Sequence, residues 1–278
     1  LAEGIIAGTA VGAAGTGLRP VIDLLFAPFL CYAMDELVNS AGKLRYISGG
    51  QFSFPLVTLA MTGAGWGVGA QHNHNVEAWF VHSPGLKVVM PSNPADAKDL
   101  LKAAIRDDNP VMFFLDIGLL YQPGEVPSDE HVVPLGQAAV RREGDDVTLV
   151  SYGKTVHHCL QAAETLAAQG IAAEVIDLRS LKPLDEAAIL ASKPDPEAPE
   201  ELLRKTIQLE LHLPDRNRED LVFLVINICN AAADSNPSWK ALLRHPQWIA
   251  DYVRCLLLLG PLGHLSPRMV KHLLNAVC

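Results

Sequence analysis

The run Thr62-Gly63-Ala64-Gly65-Trp66-Gly67-Val68-Gly69-Ala70-Gln71-His72 ends a segment almost free of Cβ bulk with a side chain that gives and takes protons near neutral pH. Such a segment lets backbone approach a ligand closely, and the imidazole is the natural proton handler beside it. The same pattern also describes an ordinary turn histidine. His74 follows two residues later as either a second proton carrier or a loop-surface residue, and His82, His157 and His158 read as surface histidines. A second cluster stands where a helix ends at Arg106. The last-turn carbonyls lack helical partners there, and Asp107 and Asn109 follow at once. That gives a set of hard oxygens with the sign for a cation. Plain helix termination explains the same residues. Glu3, at the start of a small-residue helix, is either a carboxyl placed to share a proton or an acid favouring its first turn.

Composition narrows the classes these residues can serve. The chain has 278 residues, 49% of them hydrophobic and 19% charged, which is enough for a sizeable core in one large or two ordinary domains. A net charge of −9 without a clustered Lys/Arg run argues against a nucleic-acid surface. Five cysteines without metal-ligand spacing suggest reduced thiols in a cytosol-like compartment. The apolar stretch 5–17 is shorter than the roughly 20 residues a membrane span needs and lacks a basic leader, so it reads as a packed helix. Its Ala7, Gly8, Gly12 and Ala14 suit close approach at a helix, domain or subunit contact. The chain holds no complete Gly-x-x-x-x-Gly-Lys-Ser/Thr phosphate loop, since Gly153-Lys154-Thr155 lacks the leading glycine, no Gly-x-Ser-x-Gly elbow and no Cys/His metal set.

From Pro20 onward, short apolar runs alternate with helical patterns: strands over 21–26, 55–61, 86–90 and 111–116, helices over 29–46, 76–82 and 94–106. That rhythm predicts a parallel α/β sheet with helices on both faces. Asn93 as cap, Pro94 in the first turn and Asp96 near the positive end mark the start of the helix over 94–106. Residues 121–145 read as a linker punctuated by Pro123, Gly124, Pro127 and Pro134. A second α/β unit follows over 146–192, with strands at 147–152 and 173–178 around a helix at 155–168. Residues 193–278 change texture: one alternating stretch, Ile207, Leu209, Leu211 and Leu213, is followed by amphipathic helical patterns broken at Pro237, Pro246, Gly260-Pro261 and Pro267. A mainly α-helical tail is expected.

Seven blocks stand in one order: Glu3-Gly4, Gly17-Leu18-Arg19-Pro20, Phe26-Ala27-Pro28-Phe29, Lys43 to Gly50, Gly69-Ala70-Gln71-His72, Pro84 to Val89 and Ala104 to Pro110. In order and spacing the chain resembles, from Leu1 to about Ser192, the beta subunit of the thiamine-dependent decarboxylating component of 2-oxoacid dehydrogenase complexes. The resemblance implies a transketolase-like pyrimidine-binding domain over 1–120, beginning inside the family's domain, and the start of a transketolase C-terminal-like domain over 146–192.

The resemblance also implies roles. Glu3 would hydrogen-bond a ring nitrogen of the thiamine aminopyrimidine; burial would favour its proton-sharing form, while the helix start opposes it. Phe29 would stack on that ring, with Leu25 lining the same slot; stacking contributes about 1 kcal/mol beyond area. His72 would handle protons as the acyl group passes to the lipoyl arm of the next enzyme. The carbonyls of Leu56, Ala104 and Ile105, with Asp107 and Asn109, would hold a structural potassium ion. No Gly-Asp-Gly segment with paired asparagines occurs, so an alpha subunit would supply the magnesium and diphosphate half of the site in an α2β2 assembly with a second beta subunit, serving a lipoyl-bearing acyltransferase. Asn73-His74-Asn75 replaces the common Ser-Gln-Ser, and Leu59-Ala60-Met61 a stretch that usually carries an arginine, which leaves the oxoacid open. The expected compartment is the cytoplasm of a bacterium or the mitochondrial matrix. The alternative is a truncated or fused, non-catalytic chain whose tail binds a protein, or an artefactual join near Ser192.

Overall fold

A computed structural model describes residues 2–63 and 65–192, which form two sheets connected by a segment of turns and irregular backbone. The first sheet contains β1 (Val21–Phe26), β2 (Val57–Thr62), β3 (Lys87–Val89) and β4 (Val111–Asp116), all parallel, in the order β1-β2-β4-β3. Its core strands alternate because both faces are covered. Met112 and Phe114 on β4 and Ala60 on β2 join one buried cluster, while Val57, Val111 and Phe113 join another.

The first cluster is closed by α1 (Glu3–Gly15), the 3₁₀ segment Ala27–Ala33, the wide-turned π-helical segment Asp35–Ala41 and α3 (Glu77–His82), with the short α2 (Leu44–Ile47) between. The second is closed by α4 (Pro94–Arg106) together with Val133 of the connecting segment. The small residues of α1 explain how near it lies. Ala7, Ala10 and Ala14 are buried, and a Cβ on Gly4 would stand 2.9 Å from the carbonyl of Tyr32. The expected single helix over 29–46 is instead two tightly and widely wound segments. Pro28 sits in the first turn of the first segment, where it costs no helical hydrogen bond; nothing in residues 35–41 explains the wide winding of the second. The turn before β3 requires glycine: Gly85 has φ +86°, and a Cβ there would lie 1.7 Å from the Gly42 carbonyl. The Asn93 side chain caps α4 as expected, accepting from the Asp96 N–H at 2.9 Å.

The second sheet contains β5 (Ala139–Arg142), β6 (Val147–Ser151) and β7 (Ala173–Asp177), in the order β5-β7-β6, with α5 (Thr155–Ala167) packed on it. After β7 the chain returns to the first sheet, where β8 (Ser180–Lys182) pairs antiparallel with β3 before α6 (Glu186–Ala191). β5, β8 and α6 were not expected from the sequence: three to six residues carry too little periodicity to declare a strand or a helix. The helical tail expected over 193–278 lies outside the described residues.

Candidate functional site

Open parallel sheets place ligands at the carboxyl ends of their strands. β1 ends at Phe26, β2 at Thr62 and β4 at Asp116, so these ends and the segments leaving them define the place to look. β1 is irregular just before its end. Between Asp23 and Phe26 it runs one residue longer than β2, and Leu25 takes up the excess at φ +60°, a conformation that strains a γ-branched side chain. The Asp23 carboxylate accepts the Leu25 N–H at 2.8 Å and fixes the bulge. Beyond it Phe26 and Phe29 meet edge to face, with ring centroids 5.9 Å apart.

The glycine-rich loop after β2 brings His72 to both rings, 4.6 Å from Phe26 and 5.4 Å from Phe29, at interplanar angles of 90° and 77°. No two of the three rings are stacked, so flat faces remain for a heterocycle. Gly65, Gly67 and Gly69 all have positive φ. Gly63 must stay bare because a Cβ would sit 2.6 Å from the His72 carbonyl. Asn73 then pins the loop on itself, its Oδ1 accepting the Val68 N–H at 3.3 Å and its Nδ2 donating to the Gly69 carbonyl at 2.6 Å.

Of the residues singled out in the sequence, Phe29 and His72 come together. Leu25 lies within the bulge, one residue before Phe26, and is half exposed. Glu3, half-buried, starts α1, whose next residue packs against the segment that carries Phe29. The structure therefore sets Glu3 on an element that neighbours the one carrying Phe29. Phe26 is the ring nearest His72 and was missed; the three successive apolar residues Leu24-Leu25-Phe26, which break a strand's alternation, were the available signal. Also missed was a buried polar cluster at the end of β4, where Asp116 stands with Glu77, Tyr152 and Lys154 nearby. Burial pushes the Asp116 carboxyl above its usual range, against the Gly118 N–H that it accepts at 2.8 Å. The Lys154 ammonium comes close to Gly65 of the loop, 3.6 Å from where a Cβ would stand.

Each of the oxygens singled out for a cation, at Leu56, Ala104, Ile105, Asp107 and Asn109, meets a donor of the chain. The Leu56 carbonyl accepts from Val111 N–H at 2.8 Å, that of Ala104 from Asp107 N–H at 3.3 Å, and that of Ile105 from Arg19 at 3.1 Å. Arg45 donates to Asn109 Oδ1 at 2.7 Å, and Lys87 pairs with Asp107. Burial would raise the Asp107 carboxyl, but Lys87 and Asn109 hold it below the usual range. Among the described residues no group of three His, Cys, Asp or Glu side chains could hold a metal, and no helix is long and apolar enough to cross a membrane.

Comparison with known proteins accounts for this architecture. Residues 1–122 match the transketolase pyrimidine-binding domain and residues 136–197 the transketolase C-terminal domain. The 2-oxoisovalerate dehydrogenase subunit beta of Bacillus subtilis (strain 168) is 49% identical over 192 residues, 68% of this chain and 58% of that protein. The mitochondrial pyruvate dehydrogenase E1 component subunit beta of Caenorhabditis elegans is 50% identical over 191 residues, 67% of this chain and 54% of its own length. A solved structure described as a split gene transketolase, inactive beta4 tetramer, superposes with a TM-score of 0.58 at 29% identity, covering 69% of this chain and 59% of the other. The chain thus spans a little over half the length of these curated relatives. Its two matched domains, in this order and around this bulged strand and glycine loop, make it a member of the transketolase family of pyrimidine-binding and C-terminal domains, similar to dehydrogenase beta subunits.

Proposed function

We propose that this chain is the beta subunit of a 2-oxoacid dehydrogenase that decarboxylates a 2-oxoacid with thiamine diphosphate and passes the acyl group to lipoamide. The observation that carries the proposal is the meeting of Phe26, Phe29 and His72 at the carboxyl end of a parallel sheet in a chain of this family. The fit to the cofactor rests on the unstacked rings, the bare glycine loop and an acid on the adjoining helix. Thiamine supplies the electron sink for carbon dioxide loss. For its part, the chain would orient the aminopyrimidine against Phe29, with Leu25 beside it, and hold a proton at Glu3. His72 would give and take protons at the acceptor end. Such a half-site calls for an alpha subunit that holds magnesium and the diphosphate, in an α2β2 assembly with a second beta subunit, and for a lipoyl-bearing acyltransferase downstream. The compartment follows the host, cytoplasm in a bacterium and matrix in a mitochondrion. A structural potassium ion at Leu56, Ala104, Ile105, Asp107 and Asn109 is chemically suited to hard oxygens, but it must share them with Arg19, Lys87 and Arg45. A potassium-specific rise in melting temperature over sodium is the result that would place it there.

The test is co-expression with a candidate alpha subunit followed by decarboxylation assays over pyruvate and branched-chain oxoacids. Turnover dependent on both subunits and on thiamine diphosphate is expected; a pure two-subunit assembly inert toward every oxoacid would sink the proposal. His72→Asn separates the steps. It should reduce acyl transfer to lipoamide by about 10²-fold or more, while decarboxylation read with an artificial electron acceptor falls far less.

A further inference from the structure

Glu77 is buried at 3% exposure, and its Oε1 has no hydrogen-bond partner among the described residues. It opens α3 directly after the loop that carries His72, and its neighbour Val76 is buried at 1%. The loop is thus rooted in two buried residues. From β4, Asp116 faces Glu77 with a like charge, and from the end of β6 Tyr152 does so with a phenol. Around Asp116 stand Lys154, His157 and His158. Lys182 on β8 is spent on the carbonyls of Val81 and Ser83 at the far end of α3, and Lys87 on β3 is spent on Asp107. An ionised carboxylate with one oxygen unbonded in that position is costly, and the neutral acid reduces the cost.

We propose that Glu77 is a positioning residue: carried as the neutral acid beside Asp116, it fixes the start of α3 and with it the root of the loop that presents His72. Burial, opposed by its own backbone N–H and reinforced by Asp116, pushes its carboxyl from the usual 4.5 up to about 7. The folded state therefore binds the proton more tightly than an opened one. Stability from this group is fully present below about 4.5, falls as pH rises toward about 7, and is level above.

Amide hydrogen exchange over residues 76–83 of the full chain, corrected for intrinsic base catalysis, tests this. Local opening should increase at least ~10-fold between about pH 5 and 7 and then level off. In Glu77→Gln the increase should vanish. Asp116→Asn, which keeps Glu77 but removes the facing charge, should shrink it, and that variant decides the matter if Glu77→Gln does not fold. A flat wild-type profile, an undiminished rise in Glu77→Gln, or one unchanged in Asp116→Asn would overturn the proposal. What His72 does with its position rests on the proposed function, but the exchange profile needs neither cofactor nor substrate, so the two can fail separately.

Discussion

Glu3→Gln, reconstituted with its alpha subunit, should lose between about 10² and 10⁴ of kcat while the assembly forms and melts normally. The range is that of a positioned proton-transfer group, and Gln preserves size and hydrogen bonding but cannot share a proton with a ring nitrogen. Structure favours a clean result. Glu3 starts α1, whose packing on the 27–41 segments depends on Gly4, Gly8 and the buried alanines, none of which the substitution touches. Thiamine diphosphate affinity measured by calorimetry separates two outcomes. Retained binding with lost turnover supports a proton role, whereas unchanged turnover in a well-formed assembly removes Glu3 from the site. Glu36, whose carboxylate faces Gly4 and whose Cγ faces Gly8, is the neighbouring acid to vary as a control.

Much of the sheet was legible from the chain alone, for a definite reason. β1, β4 and α4 begin and end where alternation, Asn93, Pro94 and the Asp107-Asp108-Asn109-Pro110 turn say they should, because each is bounded by strong local chemistry. The site was legible only in pieces. His72 and Phe29 were marked by type, but their meeting depends on one extra residue in β1, which a periodicity argument sees as noise rather than as a bulge that turns Phe26 toward the imidazole. Glu77 and Asp116 were invisible for another reason. An acid at the start of a helix and an aspartate after a strand are ordinary in sequence, and only burial makes them unusual. β8 was equally hidden, since its return to β3 is enforced by side chains far apart in the chain.

Those side chains set the second large effect, expected on stability. Arg179 is 7% exposed and left-handed at φ +56°, between β7 and β8. Its guanidinium donates to the Gln137 carbonyl at 3.0 Å, to the Ala138 carbonyl at 2.9 Å and to Asp96 Oδ1 at 3.2 Å. Asp96 also pairs with Arg141, which reaches Asp177 at 2.9 Å, and Asp177, fully buried, accepts the Ser92 hydroxyl at 2.6 Å. Two arginines and two aspartates thus balance in charge across the join between the sheets. Removing one member of such a buried set leaves the others uncompensated, which costs about 3–5 kcal/mol. Arg179→Met, which keeps the volume, should therefore lower the melting temperature of the chain by roughly 6–20 °C at the 2–4 °C per kcal/mol typical of domains this size. Arg179→Lys should recover little of this, because one ammonium cannot reach the two carbonyls and a carboxylate that the planar fork spans. The exposed pair of Arg106 and Glu130 provides the contrast, since Arg106→Ala should leave the melting curve unchanged. Equal small losses for Arg179→Met and Arg106→Ala would mean that apolar contacts alone hold the two sheets together, and that the buried charges add nothing to their union.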